Sequence, residues 1–259
     1  KVEAQDITNS GWDYTSASSY ITLSFWIKSS VAQNFYGWIR TYDGTAYSHP
    51  FETGSLSADT WTKVTKTFPG NSNLQFNNDN GAGLQMNWLG YFGTDYTDNS
   101  ASMSAWAAVG SGGAYMPDNT STWYTTNDAT LEITGVQFEV GSVATDFEHR
   151  TFHDELHRCF RYYYEIAPPV AESLIGDSLN YDTMDHMTLR FPVEMRVEPD
   201  FVVGNHSNAF RIYGSSGGRN VSTLTVNTGV GSTKAIMIEC SGGTNGSQNF
   251  VRIYGANSG

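Results

Sequence analysis

The stretch Tyr20-Ile21-Thr22-Leu23-Ser24-Phe25-Trp26-Ile27-Lys28-Ser29 sets Ile21, Leu23, Phe25 and Ile27 against Thr22, Ser24, Trp26 and Lys28. A period of two sustained this long is that of a strand with one face buried and the other in water. Three further segments read the same way. Trp61–Phe68 is stopped by Pro69-Gly70, Ala82–Gly90 follows, and Thr130–Val140 runs through Gly135, which marks a bulge. The Asn-, Ser- and Gly-rich stretches Gly70–Gly81 and Gly110–Thr122 read as loops between them.

Composition points the same way. In 259 residues, charged side chains make up 15% and aromatics 14%, with 26 glycines against 7 prolines. That is material for short pleated strands joined by tight turns, so an all-β sandwich or jelly roll is expected. The length allows one large or two ordinary domains. The net charge of −12 argues against a phosphate-tracking nucleic-acid binder and against attraction to anionic lipid. A neutral polysaccharide or another protein remains compatible. No apolar run approaches a membrane span, and nothing resembles a signal peptide. Cys159 and Cys240 make no metal-ligand spacing and are expected as buried free thiols rather than a disulfide. The sequence opens at Lys1, and Lys1–Ile7 alternates like the middle of a strand. The chain is therefore expected to be part of a longer polypeptide, its first domain lacking its first strands.

Three segments are expected: residues 1–150, a linker with a short helix at 151–169, and a smaller, glycine-richer β domain at 170–259. The helix signal is Phe152–Phe160, with Thr151 as cap, Asp154 and Glu155 in its first turn, and Arg158 and Arg161 near its end. Arg161–Ile166 returns to strand composition before Pro168-Pro169. Further strands are expected at Met187–Val193, Asp200–Val203, Val221–Val226 and Ala235–Glu239. Phe210-Arg211-Ile212-Tyr213-Gly214 is echoed by Val251-Arg252-Ile253-Tyr254-Gly255, either as paired strands of one sheet or as a weak repeat.

The segment Ile133-Thr134-Gly135-Val136-Gln137-Phe138-Glu139-Val140-Gly141-Ser142-Val143-Ala144-Thr145-Asp146-Phe147-Glu148-His149-Arg150 resembles a recurring phrase of bacteriophage virion proteins, marine phages especially. The following Asp154-Glu155-Leu156-His157-Arg158-Cys159-Phe160-Arg161-Tyr162-Tyr163 resembles the acidic helix and Cys-x-Arg-Tyr-Tyr run of the same proteins. Val2–Ile7, Ile21–Ser29, Ser57–Trp61 and Phe191–Arg196 with Pro199 are similar more loosely. The resemblance implies a carbohydrate-binding-module-like jelly roll, then a short helix and a second, smaller β-sandwich. It also implies a homotrimeric tail fibre, tail spike or capsid appendage of the virion, assembled in the host cytoplasm, and no catalytic residues. Asp146 stands where a proline is common, which loosens that turn. In physical terms, Gly141-Ser142 turns the chain out of the sheet and Phe147 can tuck back as a plug.

Sugar rings pack on Trp and Tyr faces. Candidates outside the core-facing parity are Trp26 and Trp38, and in loops Tyr91, Tyr96, Trp106 and Trp123. The competing reading packs them between sheets or subunits. His149, His153 and His157 recur at i, i+4 and i+8, so one helix would stack them as metal ligands on a trimer axis, or simply as a solvated face. Asn77–Gly81, with Asp79, has the oxygen density of a Ca²⁺ loop but lacks its spaced acids, and reads better as an Asx turn. Asp95, Asp98, Glu132, Glu139 and Glu148 could supply a glycosidase pair, though nothing marks one. No Gly-x-Ser-x-Gly is present. Arg161, Tyr162, Tyr163 and Tyr164 are the expected subunit interface. The expectation is a non-enzymatic virion structural protein without cofactor. Its partners would be itself, as a homotrimer, other virion proteins and host-surface polysaccharide. The alternatives are a purely architectural capsid decoration or fibre protein, and a depolymerase.

Overall fold

The computed structural model describes residues 1–98, 101–109, 116–165, 174–181, 184–200, 210–214, 217–221, 223–226, 231–241 and 251–255. It is an all-β sandwich fold whose chain divides into two compact units, Lys1–His149 and Arg150–Gly259.

The first unit holds β1 (Val2–Glu3), α1 (Ala4–Thr8), β2 (Tyr20–Ser29), β3 (Asn34–Thr41), β4 (Tyr47–Ser55), β5 (Thr62–Pro69), β6 (Ala82–Leu89), β7 (Ala107–Ala108) and β8 (Leu131–Val140). Five strands form one antiparallel sheet in the order β1-β6-β3-β4-β7, and three form the other, β5-β2-β8. The chain passes back and forth: β2 in the smaller sheet, β3 and β4 in the larger, β5 back, β6 and β7 over again, β8 last. Ile21, Leu23, Phe25 and Ile27 of β2 fill the interior, as their period requires, with Val64 and Phe68 of β5. Ile39, Phe51 and Leu84 meet them from the larger sheet. Burying each such side chain stabilises the fold by about 1.5–3 kcal/mol.

A glycine shapes this interior. Gly37 of β3 lies opposite Phe51 of β4 and Trp88 of β6. A Cβ there would come 2.4 Å from Phe51 Cζ and 2.3 Å from the Asn87 carbonyl oxygen. The space belongs to the Phe51 ring, which packs edge-on against Phe25 and Phe68, 6.2 Å away in each case.

The N-terminus departs from the alternating pattern. Only Val2 and Glu3 are strand, and Ala4–Thr8 is helical. Ala4 and Ile7, three apart and both buried, face the core, and Ala4 lies so close to Gly83 that a Cβ on that glycine would meet Ala4 Cα at 2.6 Å. The backbone N–H groups of Ala4 and Gln5 donate to the Gly81 and Asp79 carbonyls. At the far end of the unit, Gly135 has φ +58°, and the β2–β8 register shifts across it, which is the expected bulge.

The second unit begins with α2 (Phe152–Cys159), where Thr151 Oγ1 accepts from Asp154 N at 3.2 Å as the expected cap. Helical structure ends there: Tyr162 and Tyr163 donate backbone N–H bonds to the Cys159 carbonyl, and residues 161–165 form a turn and a non-strand segment, not the expected strand. The remaining strands are β9 (Leu174–Tyr181), β10 (Met184–Arg190), β11 (Phe210–Gly214), β12 (Gly217–Asn220), β13 (Thr223–Val226), β14 (Ala235–Ser241) and β15 (Val251–Gly255). They hydrogen-bond into one antiparallel sheet, β12-β11-β15-β9-β10-β14-β13. The two echoing segments are β11 and β15, paired antiparallel with Ile212 opposite Ile253. Met187, Val221, Ile236, Ile238 and Cys240 form the described core of this unit. The strand expected at 200–203 lies, beyond Asp200, outside the described residues.

Candidate functional site

The six aromatic candidates separate into buried and exposed groups. Trp106 is only 8% exposed: its Nε1 donates to the Pro69 carbonyl at 2.7 Å and its ring lies edge-on to His49. It closes the edge of the core and offers no ligand face. Trp123 is half-buried, its Nε1 donating to the Thr130 carbonyl and its ring filling the space above Gly90 and beside Phe35. Both are corrections to the expectation of free loop aromatics. A polar tip satisfied by a backbone carbonyl lets each ring be packed away.

Trp38 is also a correction, for a different reason. Its parity does point it away from the core, yet it is 7% exposed. The connection from β6 to β7 must cross from one side of β3 to the far side of β4, and it lays Phe92 edge-on against Trp38 at 5.5 Å. Tyr96, exposed, packs on Phe92 in turn.

Around Trp38, strand register assembles a recessed polar face that was not singled out from sequence. Tyr36 lies between Leu89 and Glu52, Trp38 between Asn87 and Pro50, and Arg40 between Gln85 and Ser48. Residues opposite one another in antiparallel strands share a face. Asn34 Nδ2 donates to Glu52 Oε2 at 2.6 Å, Gln85 Nε2 to Asn87 Oδ1 at 2.8 Å, and the Tyr42 hydroxyl to Gln85 Oε1. The Arg40 guanidinium and Lys1 Nζ each lie 5.0 Å from the Tyr42 ring centroid. The Asn87 amide nitrogen is buried and meets no acceptor among the described residues. A buried donor left so costs about 1–3 kcal/mol until an acceptor reaches it. The signal was present in β6, where Gln85 and Asn87 alternate with Leu84, Met86 and Trp88.

The other sheet carries a flatter surface. On the outer face of β2, Thr22, Ser24, Trp26 and Lys28 pair across to Thr67, Thr65 and Lys63 of β5, and to Glu139, Gln137, Thr134 and Glu132 of β8. Trp26 is 40% exposed and lies over Gly135, where a Cβ would meet its Cδ1 at 3.2 Å. Trp61, equally exposed, lies under Lys28 Nζ, 5.2 Å from the ring centroid, and Lys28 also pairs with Glu132 at 2.7 Å. Phe147 tucks back beside Gly135 but stays exposed, so it plugs nothing. Its segment is held by Glu139, whose carboxylate accepts from Thr145 N and Oγ1 at 2.9 and 2.7 Å. Partial burial pushes that carboxyl up, and hydrogen bonds from Gln137 and Thr145, with Lys63 near, outweigh this and leave it below its ordinary value. That is the opposite of what a glycosidase acid needs.

Two loops at one end of the sandwich hold Tyr91 and Tyr124, stacked at 5.3 Å and both exposed. Their loops meet on Gln33, whose Oε1 accepts from Trp123 N at 2.8 Å and Thr122 N at 3.0 Å, while its own carbonyl accepts from Leu56 N. Ser121 Oγ extends the link to the Gly90 carbonyl.

The metal candidates do not converge. His149 precedes the Thr151 cap and packs on Phe147, outside the helix, leaving only His153 and His157 stacked at 6.5 Å. Asp79 Oδ1 accepts from Gly81 N, an Asx turn. Among the described residues no group of three or more His, Cys, Asp or Glu could hold a metal ion. Both cysteines are free, but Cys159 is exposed and only Cys240 is buried, because every residue of α2 faces solvent. Of the expected interface run, Arg161 and Tyr164 serve within their own unit: Arg161 donates to the Glu194 carbonyl and Tyr164 packs on Phe191. Tyr162 and Tyr163 are exposed. No protein-family model, curated protein or solved structure matches the chain.

Proposed function

We propose that the chain is a non-enzymatic virion structural protein, a homotrimeric fibre or appendage subunit that attaches to host-surface glycan. The observation that carries the glycan reading is the recessed face of the five-stranded sheet. There Asn87 presents a buried donor without an acceptor among the described residues, beside the half-buried polar groups of Arg40, Gln85 and Glu52 and the ring of Tyr36. Sites for neutral polar ligands combine these features: a few convergent hydrogen-bonding groups against aromatic walls. A sugar hydroxyl would supply the acceptor that Asn87 lacks once the groups covering its amide nitrogen shift. The virion identity rests on the resemblance of residues 133–164. Tyr162 and Tyr163, exposed beside the solvent-facing helix α2, support subunit contact in that region. Repeated weak sites on a trimer raise avidity without a deep pocket in each.

The test is a panel of host-surface glycans probed with the full chain and with Asn87→Ala, after the mass in solution is measured by light scattering. A mass of about three chains, with glycan retention that falls at least tenfold in the variant, is expected. A monomer that retains no glycan overturns the reading in favour of architecture, and shortening of the glycan overturns it in favour of a depolymerase.

A further inference from the structure

Strand β6 is covered along one side and mostly bare along the other. Its residues Leu84 to Leu89 all pair with β3, whereas β1 reaches only Leu84 and Ala82 on the opposite side. In an antiparallel strand the N–H and C=O of one residue point the same way, and successive residues alternate. The Gly83 carbonyl accepts from Tyr42 N and the Asn87 carbonyl lies against Gly37, so Gly83, Gln85, Asn87 and Leu89 turn their backbone toward β3. Leu84, Met86 and Trp88 turn theirs away from it. Leu84 meets Val2 there. Among the described residues no strand pairs with Met86 or Trp88 on that side, and no backbone hydrogen bond reaches them from it.

Open edges invite further strands, and charge, proline or a bulge guards against this. The other open strands of the unit are guarded so. β5 carries Lys63 and Lys66, β8 carries Glu132, Glu139 and the bulge at Gly135, and Pro50 stands in β4. β6 has none of these, and no charged residue occurs from Asn80 to Thr94. Its inner row at the bare end is Met86 and Trp88, large and apolar yet only half-buried, although Trp88 packs edge-on against Phe25 at 5.4 Å. Trp88 Nε1 is buried and meets no acceptor among the described residues.

We infer that this edge accepts one more strand, laid antiparallel to β6 in line with β1 and supplied by polypeptide joined to Lys1. β1 sets both direction and register. Val2 opposite Leu84 puts Lys1 level with Gln85 on the outer face, where Lys1 Nζ lies 5.0 Å from the Tyr42 ring centroid. The residue before Lys1 then falls opposite Met86 and the third before it opposite Trp88, both facing inward, while the second faces outward beside Asn87. Apolar side chains at the two inward positions cover what Met86 and Trp88 leave exposed, and the added backbone pairs the N–H and C=O groups they turn to the edge. A strand from another molecule in this register would end against Lys1, whereas a joined one needs no break. The added strand uses the backbone and inner row of β6 and the glycan reading uses its outer row, so the two stand or fall separately.

The experiment follows amide hydrogen exchange by NMR in the full chain and in two extended forms, with Thr-Val-Thr-Val or Val-Thr-Val-Thr placed directly before Lys1. In the unextended chain Met86 and Trp88 are expected to exchange at least tenfold faster than Gln85 and Asn87, whose amides face β3. The first extension sets valines opposite Met86 and Trp88 and is expected to slow those two amides at least tenfold and to raise the melting temperature. The second turns its valines outward and is expected to do neither. Equally slow exchange at all four positions in the unextended chain means a closed edge and overturns the assignment. Protection of Met86 and Trp88 that grows with protein concentration gives the edge to a second copy instead. Equal effects of the two extensions overturn the register.

Discussion

Replacing Gly37 by alanine adds one methyl group where the interior has no room. The new Cβ would lie 2.3 Å from the Asn87 carbonyl oxygen and 2.4 Å from Phe51 Cζ. The carbonyl belongs to β6, paired to β3 along six residue pairs, and cannot retreat without spoiling that ladder. The Phe51 ring, 3% exposed, is boxed in by Phe25, Phe68 and Trp88. Overpacking of this kind costs about 1–3 kcal/mol, and expelling the ring would approach the ~3–5 kcal/mol of a Phe→Ala change. A cost of about 3 kcal/mol at about 2–4 °C per kcal/mol lowers the melting temperature by roughly 10 °C. The matched control is Gly54→Ala. Gly54 has φ +79° with nothing within 4 Å of its virtual Cβ, so only the left-handed backbone is penalised, by about 1–2 kcal/mol. Adding Phe51→Leu to Gly37→Ala should restore part of the loss, since the two changes share one space. Thermal unfolding followed by tryptophan fluorescence reads all four proteins. If Gly37→Ala melts within about 2 °C of the parent, or if Gly54→Ala loses more, the steric argument is wrong.

His49 is buried against Phe68 and Trp106; burial pushes its imidazole below the ordinary value, only partly offset by backbone hydrogen bonds with Pro50 and Ser104. As pH falls through the unfolded value of about 6.5, the unfolded chain takes up a proton that the folded one refuses, so stability drops with acidification. The melting temperature should therefore fall between about pH 7.5 and about pH 5.5, and the fall should shrink in His49→Gln; an undiminished slope would remove His49 from the account. Burial and the neighbouring Asp185 push the Cys240 thiol up to about 12, whereas Cys159 is exposed on α2. Near pH 8 a thiol reagent should label Cys159 in the native protein and Cys240 only after denaturation, and equal native rates would refute the buried placement.

Strands whose inward row is mainly large and apolar could be read directly. The expected Tyr20–Ser29 is β2 residue for residue, the segment at 61–68 is shifted by one residue from β5, and those at 82–90 and 130–140 exceed β6 and β8 by one residue at one end. β3 and β4 escaped because their pattern is broken on purpose. In β3 the inward row is Phe35, Gly37, Ile39 and Thr41, with the glycine yielding to the Phe51 ring. In β4, Pro50 stands where β7, which pairs only Tyr47 and Ser48, has left the strand as an edge, so its missing N–H costs no ladder bond. The helix was legible from Thr151 because a cap is a local interaction. The candidate sites were legible only in part. Parity gave the correct face to Trp26 and Trp38, but not which of them a loop would cover. Trp61 reads from sequence as the start of a strand, whereas it lies just before β5, exposed, with Lys28 over its ring. Gln85 and Asn87 looked like ordinary outward positions until register set them beside Arg40 and Trp38.

Gln33 makes the loops at one end of the first unit interdependent. Through a single carboxamide and its own backbone carbonyl it holds Thr122, Trp123 and Leu56, with Ser121 tying in Gly90. For anyone who would diversify this protein, that wiring decides where variation is cheap. Loops that carry stacked tyrosines are the natural place to randomise, yet here a change at 121–123 is transmitted to the turns after β2, β4 and β6. New recognition would have to evolve there as a coordinated set of loop sequences, or else begin from Gln33. The flat outer face of the three-stranded sheet, whose side chains stand on rigid strands, can change one residue at a time.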